Sequence, residues 1–167
     1  IYQCDWSSDV CSSALDGNIF IASCEFSGTI IAVDTAKMKI INEQFIPDTY
    51  AKHSASTHAG LPNLGPQPQD VKLSPDGKTF YIADMMSDGI WAMPAPWGKL
   101  TYIKTGFGAH GLYVTRDAQK LIITNRDDSS ISILQFSDNK IIAKWKIPDR
   151  KSTRLNSSHT DISRMPS

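Results

Sequence analysis

Apolar and β-branched residues recur along this chain in short runs, each of strand length and each bounded by turn residues. The run DVKLS alternates, with Val71 and Leu73 on one side. The runs TFYIAD and GIWAM come after the turn PDGK, in which Pro75 presets φ and Gly77 supplies the positive φ that a hairpin needs. Such runs between turn signals predict β-strands. The pattern therefore predicts an all-β fold.

The strand pattern repeats along the chain. Residues 68–93 match residues 109–134 at an offset of 41, so that Asp84 aligns with Asn125. An earlier copy matches at an offset of 61, which pairs Ile21 with Ile82, Ala22 with Ala83 and Gly28 with Gly89. Self-similarity at a fixed period is typical of repeat architectures, in which each copy is one supersecondary unit.

Four strands in a period of about 40 residues are typical of one blade of a β-propeller. We therefore predict an incomplete β-propeller of about three four-stranded antiparallel blades, at residues 16–48, 68–106 and 109–148. The first blade is expected to be truncated, without its opening strand. The extra length between the first two copies falls in one long loop, residues 47–68, rich in proline, serine, histidine and glycine.

The two ends of the chain are related to each other through their coding DNA. A single oligonucleotide that looks like a sequencing-library adapter can encode residues 149–163 in one direction and, as its reverse complement, residues 1–13 in another frame. We therefore expect residues 1–15 and 149–167 to be adapter-derived and non-native, and we exclude them from fold reasoning. Residues 16–148 remain as the β-propeller fragment of a longer protein whose true ends are missing.

The composition of residues 16–148 excludes some partners. This segment has 13 Lys and Arg and 13 Asp and Glu, without the basic stripe that nucleic-acid binders usually show. No apolar run approaches the ~18 residues of a membrane span. Cys24 is the one cysteine in the segment, and we expect it to be a buried, small apolar side chain rather than a disulfide or zinc ligand.

The segment SPDGKTFYIAD, followed by alternation of glycine and apolar residues, resembles the YVTN-type β-propeller repeat. The tetrapeptide that gives the repeat its name falls at Tyr81–Asp84, at Ile122–Asn125 and, weakly, at Phe20–Ser23. The third copy departs from the pattern, because TRDAQK has no turn glycine and Asp117 or Ala118 must form that turn by other means. The resemblance implies the fold, while the superfamily includes surface-layer-like proteins, lactonase-like enzymes and haem d1- or quinone-bearing relatives.

In a propeller the loops that enter the first strand of each blade surround one mouth of the central channel, where ligands usually bind. Gln69 and Asp70 occupy this position in one blade and His110 in the next, with Gln69 and His110 equivalent by the repeat. We name these three as candidate ligand-binding residues at the channel mouth. His110 would ligate a metal or haem, or act as a base; alternatively, it hydrogen-bonds the neighbouring blade.

Other candidate residues lie in loops. His53 and His58 lie in the long loop, and loops of this length are often lids or binding loops. Two histidines five apart without a third ligand are a poor zinc site, so no metal site is predicted. Trp97, in PAPWGK, is a candidate stacking residue, while Trp91 is expected to be core between blades. The pair Asp127 and Asp128 is expected to be a solvated turn.

Two functional classes stay open. The first is a non-catalytic binding or scaffold module in the periplasm or at the cell surface, whose partner is an unknown protein or a carbohydrate, and whose ring is completed by blades outside this fragment. The second is a propeller enzyme of lactonase-like, haem d1-like or quinoprotein-like type. The segment has no Cys-x-x-Cys-His, so no cofactor is evident, and no catalytic residue is assigned. An open arc exposes strand edges and apolar faces, so we expect the chain alone to associate.

Overall fold

The computed structural model describes residues 17–48 and 65–148 and, for the backbone alone, residues 11–13. These residues form twelve strands in three antiparallel sheets, and within this part of the chain no helix is long and apolar enough to cross a membrane. Each sheet takes four strands that are consecutive in the chain, and each strand pairs with the next. The predicted all-β fold of three four-stranded units is confirmed.

Sheet I consists of β1 (Cys11–Ser13), β2 (Ile19–Cys24), β3 (Thr29–Asp34) and β4 (Lys39–Phe45). Sheet II consists of β5 (Pro68–Leu73), β6 (Thr79–Asp84), β7 (Gly89–Pro94) and β8 (Thr101–Lys104). Sheet III consists of β9 (Ala109–Val114), β10 (Lys120–Asn125), β11 (Ser130–Gln135) and β12 (Lys140–Lys146). The first strands β1, β5 and β9 are successive neighbours, so the sheets fan out from a common inner edge.

Sheet I has an opening strand where the sequence predicted none. Residues 11–13 pair with β2, with Cys11 opposite Ala22 in the backbone register. The first blade therefore has an opening strand, which is only three residues long, where we expected that strand to be missing. The error arose because we excluded this segment from fold reasoning.

The middle sheet is buried on both faces because its strands alternate. Side chains from one side of sheet II pack against sheet I in what we call interface A, whose buried members are Ile21, Ile30, Ala32, Ile46, Val71, Phe80, Ile82, Trp91, Met93 and Leu100. Side chains from its other side pack against sheet III in interface B, whose buried members are Tyr81, Ala83, Ile90, Ala92, Ala109, Leu112, Leu121, Ile123 and Leu134. The burial of Trp91 between sheets confirms the prediction for that residue.

The turns between the first and second strands of sheets II and III have the same hydrogen bonding and backbone conformation. In sheet II the Ser74 hydroxyl donates to Asp76, Gly77 has φ 71°, and the Gly77 N–H donates to the Ser74 carbonyl. In sheet III Ala118 takes the same position with φ 57°. Its N–H donates to the Thr115 carbonyl over 2.8 Å. Ala118 therefore accepts the left-handed conformation that glycine supplies in the other copy.

The predicted alignment of the first copy is wrong by one residue. Equivalent backbone bonds join Thr35 to Asn18 and Ala95 to Lys78, and both sets of residues differ by 60 positions rather than 61. Because side chains alternate in a strand, one residue of shift exchanges the two faces. Ile21 is therefore equivalent to Tyr81, and the tetrapeptide position falls at 21–24 instead of 20–23.

Candidate functional site

The loops that enter β5 and β9 lie at one end of the sheets, which we call the entry end. Backbone hydrogen bonds join each entry loop to the turn between the second and third strands of its own sheet, from Met85 N–H to Gln67 and from Arg126 N–H to Gly108. The first strands are irregular here. Pairing skips from Pro68 to Val71 in β5, and the same irregularity occurs in β9. Such β-bulges re-aim side chains out of the regular alternation.

Gln69 lies in the bulge of β5 and is buried, with 6 % of its surface exposed. Its backbone carbonyl accepts a hydrogen bond of 2.5 Å from the Ser23 hydroxyl of sheet I. Its side-chain Nε2 has no hydrogen-bond partner among the described residues. A buried amide N–H without a partner is costly, so this group is suited to a water molecule or a polar ligand atom.

Asp70 is buried next to Gln69 and joins sheets II and III. One carboxylate oxygen accepts the Leu112 backbone N–H at 2.8 Å, across interface B. The other oxygen accepts the Lys72 ammonium at 2.9 Å. Both oxygens are therefore engaged by the protein, and the geometry gives Asp70 a positioning role for the first strand of sheet III.

His110 is exposed and lines a concavity of about 350 Å³ at the entry end of sheet III, on the side turned away from sheet II. The walls of this concavity come from β9, from the β10–β11 turn and from the residues after β12. Its lining residues are His110, Thr124, Asn125, Arg126, Ser129, Ser130, Ile147 and Pro148. We call it the entry-end pocket.

Three of the six polar side chains that line the entry-end pocket, those of Thr124, Asn125 and Ser130, form hydrogen bonds within the protein. The Thr124 hydroxyl accepts the Gly111 N–H at 2.8 Å. Asn125 accepts a hydrogen bond from the Thr105 hydroxyl, and its amide donates to Ser130 and Ser132. These bonds fix the wall of the pocket and leave little capacity for a ligand.

His110, Arg126 and the exposed Ser129 are the polar groups that remain available to a ligand. The His110 imidazole makes no hydrogen bond to another described residue, while Arg126 Nε lies 3.4 Å from Asp127 and Nη1 lies 3.4 Å from the Met85 sulfur. Arg126 is exposed and keeps other N–H donors. Together with the apolar Ile147 and Pro148, this combination can bind an acidic group beside an apolar surface.

Asp128 holds the turn behind the pocket. Its carboxylate lies 2.5 Å from both the Lys144 and the Lys146 ammonium groups, and it accepts the Ser130 hydroxyl at 2.9 Å. Burial opposes ionisation, but the hydrogen bonds from the two lysines and Ser130 lower the pKa of Asp128 to about 2. The predicted solvated turn is therefore wrong for Asp128, because β12 brings two lysines to it.

Two glycines in the loop that enters β9 allow this packing, and sequence reasoning missed both. A Cβ at Gly106 would lie 2.8 Å from the Asn125 side chain and from the Asp128 carboxylate. A Cβ at Gly108, which has φ +67°, would lie 2.7 Å from Asp127. The pattern TGFG ahead of β9 was the available signal, since paired glycines mark close approach of backbone and side chains.

The last position of the tetrapeptide is a buried polar anchor. Asp84 is 1 % exposed and accepts the Gln67 N–H at 3.0 Å and the Trp91 indole N–H at 3.4 Å. Burial raises its pKa despite these hydrogen bonds. Asn125 is the equivalent anchor in sheet III. Cys24 occupies this position in sheet I and is buried as expected, but it is disulfide-bonded, contrary to the prediction of a free cysteine.

The candidate residues predicted in loops are not seen among the lining residues of the entry-end pocket. Trp97 is partly buried and packs against interface A. His53 and His58 lie outside the described residues. Within the described part of the chain, no group of three histidine, cysteine or acidic residues is placed to hold a metal ion.

No protein-family model and no curated protein sequence matches the chain. Solved structures are similar to it in fold. They include the periplasmic gluconolactonase PpgL of Pseudomonas aeruginosa (TM-score 0.64, 13 % identity, covering 84 % of this chain and 42 % of that one) and virginiamycin B lyase from Staphylococcus aureus (0.63, 17 %, 85 % and 42 %). The dihydro-haem d1 dehydrogenase NirN is a third (0.60, 14 %, 82 % and 28 %).

These neighbours are β-propeller-type proteins, and the three fanned sheets have the same architecture. The chain therefore has an incomplete β-propeller fold. It spans less than half the length of each of these structures.

Proposed function

We propose that this chain is part of a YVTN-type β-propeller that acts as a binding module, and that its ligand binds in the entry-end pocket between His110 and Arg126. The observation that carries the proposal is the placement of these two side chains in one concavity while Thr124, Asn125 and Ser130 in its wall are hydrogen-bonded internally. Blades from outside this chain would complete the ring and close the pocket on its open side.

The chemistry of the pocket favours a small acidic carbohydrate over a neutral one. Arg126 offers a planar set of N–H donors that matches a carboxylate, and His110 adds an imidazole N–H donor. Ile147 and Pro148 give the apolar contact that a sugar ring needs. The name of the periplasmic gluconolactonase indicates a sugar lactone, which makes sugar acids the first ligands to test.

Isothermal titration calorimetry with gluconate and glucuronate tests this proposal. We expect His110→Ala and Arg126→Ala to weaken binding by about 10- to 100-fold each, since a hydrogen bond to a charged group contributes about 1.5–3 kcal/mol. Arg116→Ala is the matched control, because Arg116 is an exposed arginine in the turn at the opposite end of sheet III. Equal affinity in all four proteins would refute the site.

The alternative is a propeller enzyme of lactonase-like, haem d1-like or quinoprotein-like type. The lactonase and haem d1 dehydrogenase among the similar structures favour it. In that case His110 would act as a base, and further residues would come from blades outside this chain. Hydrolysis of glucono-δ-lactone faster with the wild-type chain than with His110→Ala would support this alternative over simple binding.

We also propose a cellular location for the protein and an origin for the two ends of the chain. A periplasmic or extracellular location is supported by the fold shared with a protein named as periplasmic. We further propose that residues 1–15 and 149–167 derive from adapter DNA, because one oligonucleotide read in opposite directions can encode most of both ends. Sequencing the source gene through both junctions tests this proposal, and a source gene that itself encodes residues 1–13 or 149–163 would refute it.

A further inference from the structure

The two outer sheets each have one apolar face against which no other described sheet packs. We use "leading face" for the side of a sheet that points to the preceding sheet and "trailing face" for the other side. Cross-strand partners share a face, and this assigns Tyr113, Ile122, Ile131, Ile133 and Trp145 to the trailing face of sheet III. The same pairing assigns Phe20, Val33, Ile40 and, at the entry end, Phe45 to the leading face of sheet I.

Both faces expose large side chains to an unusual degree. Tyr113 and Trp145 are 58 % and 59 % exposed on the trailing face of sheet III. Ile40 and Phe45 are 63 % and 68 % exposed on the leading face of sheet I. Contiguous exposed apolar side chains on a sheet mark an interaction surface rather than ordinary solvent-facing residues.

The structure itself shows what kind of surface covers such a face. In interface A the trailing face of sheet I meets the leading face of sheet II, and in interface B the trailing face of sheet II meets the leading face of sheet III. On the trailing face of sheet III, Ile122 and Ile131 are equivalent to Tyr81 and Ile90, which are buried in interface B. A leading face is therefore the fitting partner for this surface.

We propose that two copies of this chain associate through these faces, with the trailing face of sheet III of each copy on the leading face of sheet I of the other. Three sheets are too few for a ring, whereas two copies supply six, within the four to eight blades of known propellers. The two identical head-to-tail contacts form a closed ring of six sheets when the rotations between successive sheets sum to a full turn. Blades of a longer chain would compete for the same two faces.

Sedimentation velocity of the full chain, with light scattering after gel filtration, tests the proposal. The expected species is a dimer that does not grow at higher concentration. Trp145→Glu on the trailing face and Phe45→Glu on the leading face should each raise the dimer dissociation constant more than about 100-fold, because each places a charge in both contacts. Phe26→Glu is the control, since Phe26 is 74 % exposed in the β2–β3 turn and belongs to neither face.

A mixture of the two variants separates this arrangement from other dimers. The mixed pair keeps one intact contact, between the trailing face of the Phe45→Glu chain and the leading face of the Trp145→Glu chain, so a heterodimer should form where neither variant dimerises alone. Far-UV circular dichroism confirms that each variant is folded. A monomeric wild-type chain, oligomers that lengthen with concentration, or a dimer lost with only one of the two variants would overturn the proposal.

Discussion

Asp70→Ala should detach the inner edge of sheet III from sheet II. In the wild-type chain the Asp70 carboxylate accepts the backbone N–H of Leu112, whose side chain is fully buried in interface B. Alanine leaves that N–H buried without an acceptor, which costs about 1–3 kcal/mol, and removes a hydrogen bond to a charged group. We therefore expect the free energy of unfolding to fall by about 2–3 kcal/mol. In a chain of this size that change lowers Tm by about 4–12 °C.

Urea unfolding followed by circular dichroism measures this loss, with two further variants for comparison. Asp70→Asn keeps a carbonyl acceptor for Leu112 and should lose about half as much. Asp34→Ala is the matched control, because Asp34 makes an exposed ion pair with Lys37 at 2.9 Å, and such pairs contribute about 0–1 kcal/mol. If Asp70→Ala loses no more stability than Asp34→Ala, the cross-sheet role of Asp70 is refuted.

Three further predictions concern the repeat itself. Burial raises the pKa of Tyr81 to about 12, so the unfolded chain ionises first and stability should fall between pH 10 and 12; Tyr81→Phe should make unfolding less sensitive to pH in this window. Ala118→Gly should stabilise the chain by up to about 1 kcal/mol and Gly77→Ala should destabilise it by about 1–2 kcal/mol in urea unfolding, because both positions have positive φ. Gly89→Ala should cost about 3 kcal/mol by the same measurement, since its Cβ would lie 2.3 Å from the Ile103 carbonyl oxygen.

Strand positions in sheets II and III could be predicted from sequence because turn chemistry bounds them. The PDGK turn fixes the start of β6, and the predicted run TFYIAD is the observed strand Thr79–Asp84. Sheet I was harder to align. The run IFIASC carries apolar residues on both faces, so its hydrophobic pattern does not distinguish an offset of 60 from one of 61.

The entry-end pocket could be predicted only in part. His110 could be named as a candidate because it is equivalent to Gln69 in a repeat whose entry loops share one end, and the structure places it in the lining of the pocket. Arg126 was missed, since it lies in a different turn and reaches the pocket only when β10 and β11 are folded. Asp70 was expected at an open channel mouth, because the sequence does not show the β-bulge next to it. In the structure its carboxylate accepts the Leu112 backbone N–H. Local sequence does not report such contacts between sheets.

The alternation of side chains along its strands buries the middle sheet between two neighbouring sheets. Methyl–methyl nuclear Overhauser effects measure this arrangement directly. We expect cross-peaks from Val71 and Ile82 to methyls of sheet I such as Ile21, and from Ile90 to methyls of sheet III such as Leu121, with no exchange of partners between the two sets. Cross-peaks from both sets to the same neighbouring sheet would contradict the fanned arrangement.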